Sequence, residues 1–448
     1  MKKNNEIDML HGPLLMKIII FALPLAASSV LQQLFNSIDV AVVGRFASSQ
    51  ALAAVGSNAP VIGLLINLFM GISMGANVII SNHIGQNDSK SIRAAIGTVG
   101  LVAPLIGLFL AVLGFVAARP ILTMMDTPPD VLDMAITYLR IYFMGMPFFM
   151  IFNFGSAILR SRGDTRRPLY ILVVAGLVNT VLNLVLVICF KMSVEGVAIA
   201  TCIANMVSAS VMVYVLMHEP EPYRLHFSEL RIEWGELKRM LQIGVPAGLQ
   251  GMVFSISNVM VQTAINGYGS AAVAGSAAAL NFEYYCYFLV SAFDGAAISF
   301  IGQNYGAGQN DRGRRIFWIC MSLGFVCCAG ANWLFVLGDD FFLQLFTADP
   351  VVIDYGKTRM EIVLATQALA CSYEIAGSSL RGMGISLLPT IFTVFGTCML
   401  RIAWVYWVSP VLTGFQWLMV VYPVSWALTG VMVCTAYAVI VRRLPHSA

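Results

Sequence analysis

Twelve apolar runs, each long enough to cross a bilayer as a helix, follow one another along this chain of 448 residues. They lie near 15–43, 51–81, 94–118, 135–159, 168–190, 194–217, 240–266, 271–301, 316–338, 360–380, 387–409 and 416–441. A hydrocarbon core takes roughly 20 apolar residues as a helix. Inside it each segment must satisfy its own backbone N–H and C=O groups, which a helix does. The pattern predicts an all-α integral membrane protein with twelve transmembrane helices, spans 1 to 12. Charge agrees: 11% of residues are charged, against about 25% in a soluble protein. The polar residues between the runs suffice for short loops only. No room is left for a soluble catalytic domain or an ATPase domain.

The halves repeat at a shift of 221 positions. Leu159-Arg160-x-x-Gly163 falls on Leu380-Arg381-x-x-Gly384, Pro168 on Pro389, Pro129 on Pro350 and Gly85 on Gly306. Pro24 meets Pro246 after a one-residue gap, and Ile84-Gly85-Gln86-Asn87-Asp88 resembles Tyr305–Asp311 with two extra residues. Six spans per half is an even number, so the halves run in the same sense. They are expected to be related by a pseudo-two-fold axis along the membrane normal. The expected layout is a six-helix lobe over 1–217, a Glu- and Pro-rich cytoplasmic linker over 218–239, and a second six-helix lobe over 240–448. Two such lobes, rocking around a central cleft, make a transporter design.

Placing the N-terminus inside puts 19 of the 26 Lys and Arg residues, Lys2 and Lys3 among them, on the inner side and six on the outer side. Arg401 is left within span 11 as the one embedded base. The bias predicts a multi-pass protein of the cell inner (plasma) membrane with both termini cytoplasmic. Glu6 and Asp8 spoil the basic region of a leader, so the run from Ile18 to Ala27 reads as part of span 1. A net charge of +3 is too small to suggest nucleic acid. The nine cysteines form no CxxC pair, and the five histidines (His11, His83, His218, His226, His446) read as loop or tail residues. No metal, cofactor or embedded catalytic pair is expected. Gly356-Lys357-Thr358 lacks the earlier glycine of a P-loop, so ATP is not expected as a partner, and energy must come from an ion gradient.

Ionisable groups inside a membrane are costly and usually functional. In span 1, Gln32, Asn36 and Asp39 share one helical face at i, i+4, i+7 spacing. Asp39 reads either as a carboxylate that binds a proton or sodium, or as one near the outer end paired with Arg45. Asn179 and Asn183 in span 5, and Thr201, Asn205 and Ser208 in span 6, form two further polar faces. These can complete an ion site or act as glue between helices. The second half has Glu283 and Asp294 in span 8 and Glu374 in span 10, with Asn153 and Ser73 at the matching places of Glu374 and Asp294. Glu283, Asp294 and Glu374 are candidates to attract a cationic substrate, with Gln32, Asn36, Asn205 and Arg401 as further substrate-binding candidates; an ion pair of Arg401 with one of the acids is the alternative. Pro24, on the helix that carries Asp39, can bend span 1 and link protonation to a change of shape.

Over roughly 14–441 the chain resembles the multidrug and toxic compound extrusion (MATE) family. The resemblance rests on Asp39-Val-Ala-Val-Val-Gly44-Arg45 and Leu159-Arg160-Ser-Arg-Gly163-Asp164-Thr165-x-x-Pro168. It rests also on Glu195-Gly196-Val197-Ala198-Ile199-Ala200-Thr201 and Gly302-Gln303-Asn304-x-Gly306-Ala307-Gly308. It implies an antiporter that exports amphipathic, mostly cationic drugs or toxic compounds against inward proton or sodium flow. It implies cation coupling at Asp39, Asn179, Asn183 and Thr201. The similar branch often has an acid where this chain has Asn183, which favours protons over sodium here. A lipid-linked oligosaccharide flippase of the same superfamily is the alternative; it calls for a strongly cationic cavity.

Overall fold

A computed structural model describes residues 6–445; Lys2, Lys3 and His446 lie outside the described residues. The described chain is helical and holds no strand. Among the described residues ten helices are long and apolar enough to cross a membrane. In the first half these are span 1 (Leu14–Phe46), span 2 (Ser49–Gly85), span 3 (Ser89–Met124), span 5 (Arg166–Cys189) and span 6 (Val194–Met217). In the second half they are span 7 (Trp234–Asn266), span 8 (Ser270–Gly306), span 9 (Asn310–Leu337), span 11 (Leu387–Val408) and span 12 (Phe415–Arg443). Span 4 is a pair, Pro129–Met144 and Met146–Ser161, bent by 45° where Gly145 and Pro147 interrupt the hydrogen-bond ladder. Span 3 shows the lipid-facing logic: Leu105, Phe109, Val112 and Val116 form an exposed apolar stripe at helical spacing.

Span 10 departs from its sequence-based bounds. It begins at Pro350, runs to Ile362, passes through a 3-10 turn (Leu364–Leu369) and resumes over Ala370–Gly382. Thr366 Oγ1 donates to the carbonyls of Ile362 and Val363 at the break, and Gln367 Nε2 donates 2.9 Å to the Glu283 carbonyl. These bonds compensate the opened ladder. The extra turns carry Arg359, one of the six bases that the sequence count places on the outer side, into the protein, where it is 3% exposed. Arg401 is therefore not the one embedded base. His83 also differs from its loop assignment: it lies buried in the last turn of span 2, with Nε2 2.9 Å from Glu236 Oε2.

Packing divides the chain into two compact units. The first takes the chain up to Asp8 and Ala27–Leu241; the second takes Met9–Ala26 and everything from Gln242 on. One division falls inside span 1, just after Pro24, and another inside span 7. The segment between spans 6 and 7 is tied to the first unit. Glu219 is buried and accepts from both Arg162 and Arg167, and Arg162 lies 4.0 Å over the Tyr223 ring. Thr98 Oγ1 donates to the Arg231 carbonyl and accepts from the Glu233 amide.

The repeated Leu-Arg-x-x-Gly motif proves to be a helix stop. Gly163 and Gly384 have φ of 92° and 85°, in the left-handed region. Gly163 N bonds Arg160 O and Asp164 N bonds Leu159 O; Gly384 N bonds Arg381 O and Ile385 N bonds Leu380 O. Both are Schellman caps. The same cap ends spans 2 and 8, with Asn87 (φ 55°) and Gly308 (φ 71°) in the left-handed place. Asn87 therefore matches Gly308 at a shift of 221 with no insertion, which corrects the two-residue gap expected from Gln86 and Gln309. Alanine at Gly384 is expected to cost about 1 kcal/mol, since its Cβ meets open space. At Gly163 the Cβ would fall 2.4 Å from the Ile7 carbonyl, so Gly163→Ala is expected to lower the melting temperature clearly more. Equal shifts for the two variants would contradict this account of the cap.

Candidate functional site: a polar cavity in the first unit

Spans 1, 2, 4, 5 and 6 of the first unit line an open cavity of about 460 Å³. Gln32, Asn36 and Asp39 reach it from span 1, as their shared face predicts. Asn179 reaches it from span 5, and Thr201, Asn205 and Ser208 from span 6. Among the described residues Asp39 is the one acid in the lining, and no Lys or Arg lines it. Asn183 sits beneath, fully buried. Its Nδ2 donates to Asp39 Oδ1 and, at 2.7 Å, to Asn179 Oδ1. The i, i+4 amide pair on span 5 thus forms a short chain ending on the carboxylate. Asn183 Oδ1 is buried with no hydrogen-bond partner among the described residues. Arg45 forms no ion pair with Asp39 among the described residues. Thr201 Oγ1 donates 3.0 Å to the Val197 carbonyl of its own helix, so its hydroxyl is committed there. The π turn Val185–Cys189 follows directly on the amide pair. Such turns recur at functional sites, where they re-aim side chains.

Sequence reasoning missed the aromatic wall. Tyr138 and Tyr142 of span 4 stack at 5.9 Å between centroids and line the cavity with Phe35, Phe149 and Phe152. Their i, i+4 spacing was the available signal. Phe35 packs on Gly176: a Cβ there would fall 1.8 Å from the ring. Gly176→Ala must therefore push the Phe35 ring away from span 5. The expected result is a loss of about 1–3 kcal/mol in stability. Phe35→Ala in the same chain should recover most of the stability; no recovery would show that the contact is not the cause.

The remaining candidates lie in the second unit, where Asp294 and Glu374 are neighbours while Glu283 and Arg401 have other partners. Glu283, on span 8, is paired with Arg359 by two bonds of 2.6 and 3.0 Å. Arg359, not Arg401, is its partner. Glu374 accepts 3.1 Å from Tyr287 Oη. Asp294 lies in the electrostatic neighbourhood of Glu374 and Arg381, and Arg381 Nη2 donates 2.5 Å to Gln250 Oε1. Arg401 forms no ion pair with any of the three acids among the described residues. It donates to Asn258 Oδ1 at 2.9 Å and to Ser425 Oγ at 3.2 Å, among the rings of Phe254, Tyr422 and Trp426.

The family model MatE matches the chain twice, over residues 24–185 and 246–407, once for each copy of the repeat. YoeA of Bacillus subtilis, named a probable multidrug resistance protein, is 28% identical over 385 residues, covering 84% of this chain and 83% of its own. NorM of Thermotoga maritima, also named a probable multidrug resistance protein, is 27% identical over 384 residues, covering 84% and 82%. A crystal structure of MATE in the straight conformation shares the fold, with TM-score 0.91 over 99% of each chain at 20% identity. The two family-model matches span most of the chain, which belongs to the MATE family of membrane transporters and is not an enzyme.

Proposed function

We propose that this protein is a secondary active multidrug antiporter of the plasma membrane, with both termini cytoplasmic. It exports amphipathic, mostly cationic compounds in exchange for inward protons, with sodium the less favoured ion. The observation that carries this reading is Asp39: an acid in an otherwise uncharged cavity, bonded to an amide. A carboxylate at membrane depth with no base beside it needs a cation or a proton to neutralise it. An exchangeable cationic drug and an exchangeable proton meet the same need, so the two compete. Each can shift the transporter only by its differential affinity for the inward- and outward-open forms. Proton entry from outside discharges Asp39 and releases the drug outward. Rocking of the lobes then exposes the site to the cytoplasm, where the proton leaves. A single acid, with Asn183 beside it, offers sodium few charged ligands, which is why the proton is preferred. Among the described residues no base lines the first-unit cavity, which favours a cation over the phosphate of a lipid at that site.

Ethidium efflux from proteoliposomes tests this. An imposed proton gradient without sodium is expected to drive it. Efflux driven by a sodium gradient alone, with none driven by protons, would overturn the ion assignment.

A further inference from the structure

The repeat gives the residues that line the first-unit cavity a set of counterparts in the second unit, with a base where the first unit has neutral Asn179. Spans 1 and 7 align at a shift of 222, set by Pro24 and Pro246, so Gln32 and Asn36 correspond to Phe254 and Asn258. Spans 6 and 12 both start at a shift of 221, Val194 and Phe415, so Thr201 and Asn205 correspond to Tyr422 and Trp426. Spans 5 and 11 also start together at that shift, Arg166 and Leu387. Span 11 then contains a π turn at Val394–Met399 that span 5 lacks at the matching place. A π turn closes its bonds one residue later than an α turn, so the register beyond it advances by one. Arg401 then falls on Asn179. Every one of these counterparts meets: Arg401 lies 5.0, 4.5 and 6.0 Å from the ring centroids of Phe254, Tyr422 and Trp426, and donates from Nη1 to Asn258. Asp39 itself is replaced by Val261.

The guanidinium is permanently charged, is 1% exposed, and has no carboxylate within ion-pair distance among the described residues. An embedded charge is normally paired. Here rings and neutral oxygens stand in, and Nη2 is left without a hydrogen-bond partner. Asn258, which holds Nη1, is itself exposed. Nη1 and Nη2 form the end of the fork that grips a carboxylate with two parallel bonds. A carboxylate arriving at Asn258 can take over Nη1 and satisfy Nη2 together.

We propose that Arg401 and its aromatic box form a second substrate subsite, one that takes the carboxylate of an aromatic organic acid or zwitterion. The proposal assigns the residues that would take the carboxylate end of such compounds, and rests on the export reading for its substrate range. It does not rest on Asp39 coupling, which is measured with ethidium, a compound without a carboxylate.

The test compares binding of norfloxacin, which has an aryl carboxylate and an amine, with its methyl ester, which keeps the ring and the amine. The purified full chain in nanodiscs is used. The wild type is expected to bind the acid about ten-fold or more tighter than the ester. In Arg401→Gln that ratio should fall close to one, and Arg401→Lys should retain part of it. A role in helix packing alone would weaken both ligands together and leave the ratio as it was, which would overturn the proposal. If Arg401→Gln does not fold, the wild type still decides. Benzoate should displace norfloxacin at lower concentration than benzyl alcohol; equal displacement would overturn the proposal.

Discussion

Asp39→Asn is expected to yield a protein that inserts and folds normally but no longer couples efflux to a gradient. The replacement is nearly isosteric, and its side-chain oxygen can still accept from Asn183 Nδ2, so the bond between spans 1 and 5 survives. What disappears is the exchangeable charge. A neutral amide has nothing to discharge, so drug and proton no longer compete. Gradient-driven ethidium efflux should fall to the level of empty liposomes, while thermal stability in detergent stays close to wild type. Asn183→Ala should do less. It removes the donor to Asp39 but leaves the acid, so efflux should persist with an altered pH profile. Efflux at the wild-type rate from Asp39→Asn would place coupling elsewhere, with Asp294 and Glu374 the next groups to test.

Arg359→Met carries the largest expected effect on stability. Arg359 and Glu283 are both buried and joined by two bonds, and Arg359 also lies 5.4 Å from the Tyr422 ring. Removing the base leaves a carboxylate in the membrane-embedded core without a counter-charge. Breaking a buried pair from one side costs about 3–5 kcal/mol, because the orphaned charge remains desolvated. Removing both charges costs much less. Glu283→Gln combined with Arg359→Met should therefore melt well above Arg359→Met alone. A double variant no more stable than the single one would show that the pair is not the source of the loss. The assignment also bears on function. A Glu283 already neutralised by Arg359 is poorly placed to attract a cationic drug, whatever its depth.

The helical frame was legible because the membrane imposes it. Length, hydropathy and the recurrence of Pro and Gly at one shift were enough for the repeat, and Gly163 and Gly384 turned out to end their helices with the same cap. The face of Gln32, Asn36 and Asp39 was legible because helical spacing needs no partner to be read. Partners were harder. Asn183 meets Asp39 across 144 residues, and nothing local announces it. Arg359 was misplaced because Asp354, Lys357 and Arg359 together look like a loop, whereas Glu283 neutralises the one that is buried. The correspondence of Arg401 with Asn179 was hidden by a single π turn, which no hydropathy pattern reveals. Backbone irregularities shift register by one residue, and a shift of one residue decides which side chain enters a site.

The most direct test of the central claim is proton release on substrate binding. Ethidium is added to the detergent-solubilised protein in weakly buffered, sodium-free solution, and the pH change is followed. If Asp39 is the shared site of drug and proton, the wild type releases protons and Asp39→Asn releases none while still binding ethidium measurably. Release of as many protons by Asp39→Asn as by the wild type would contradict it.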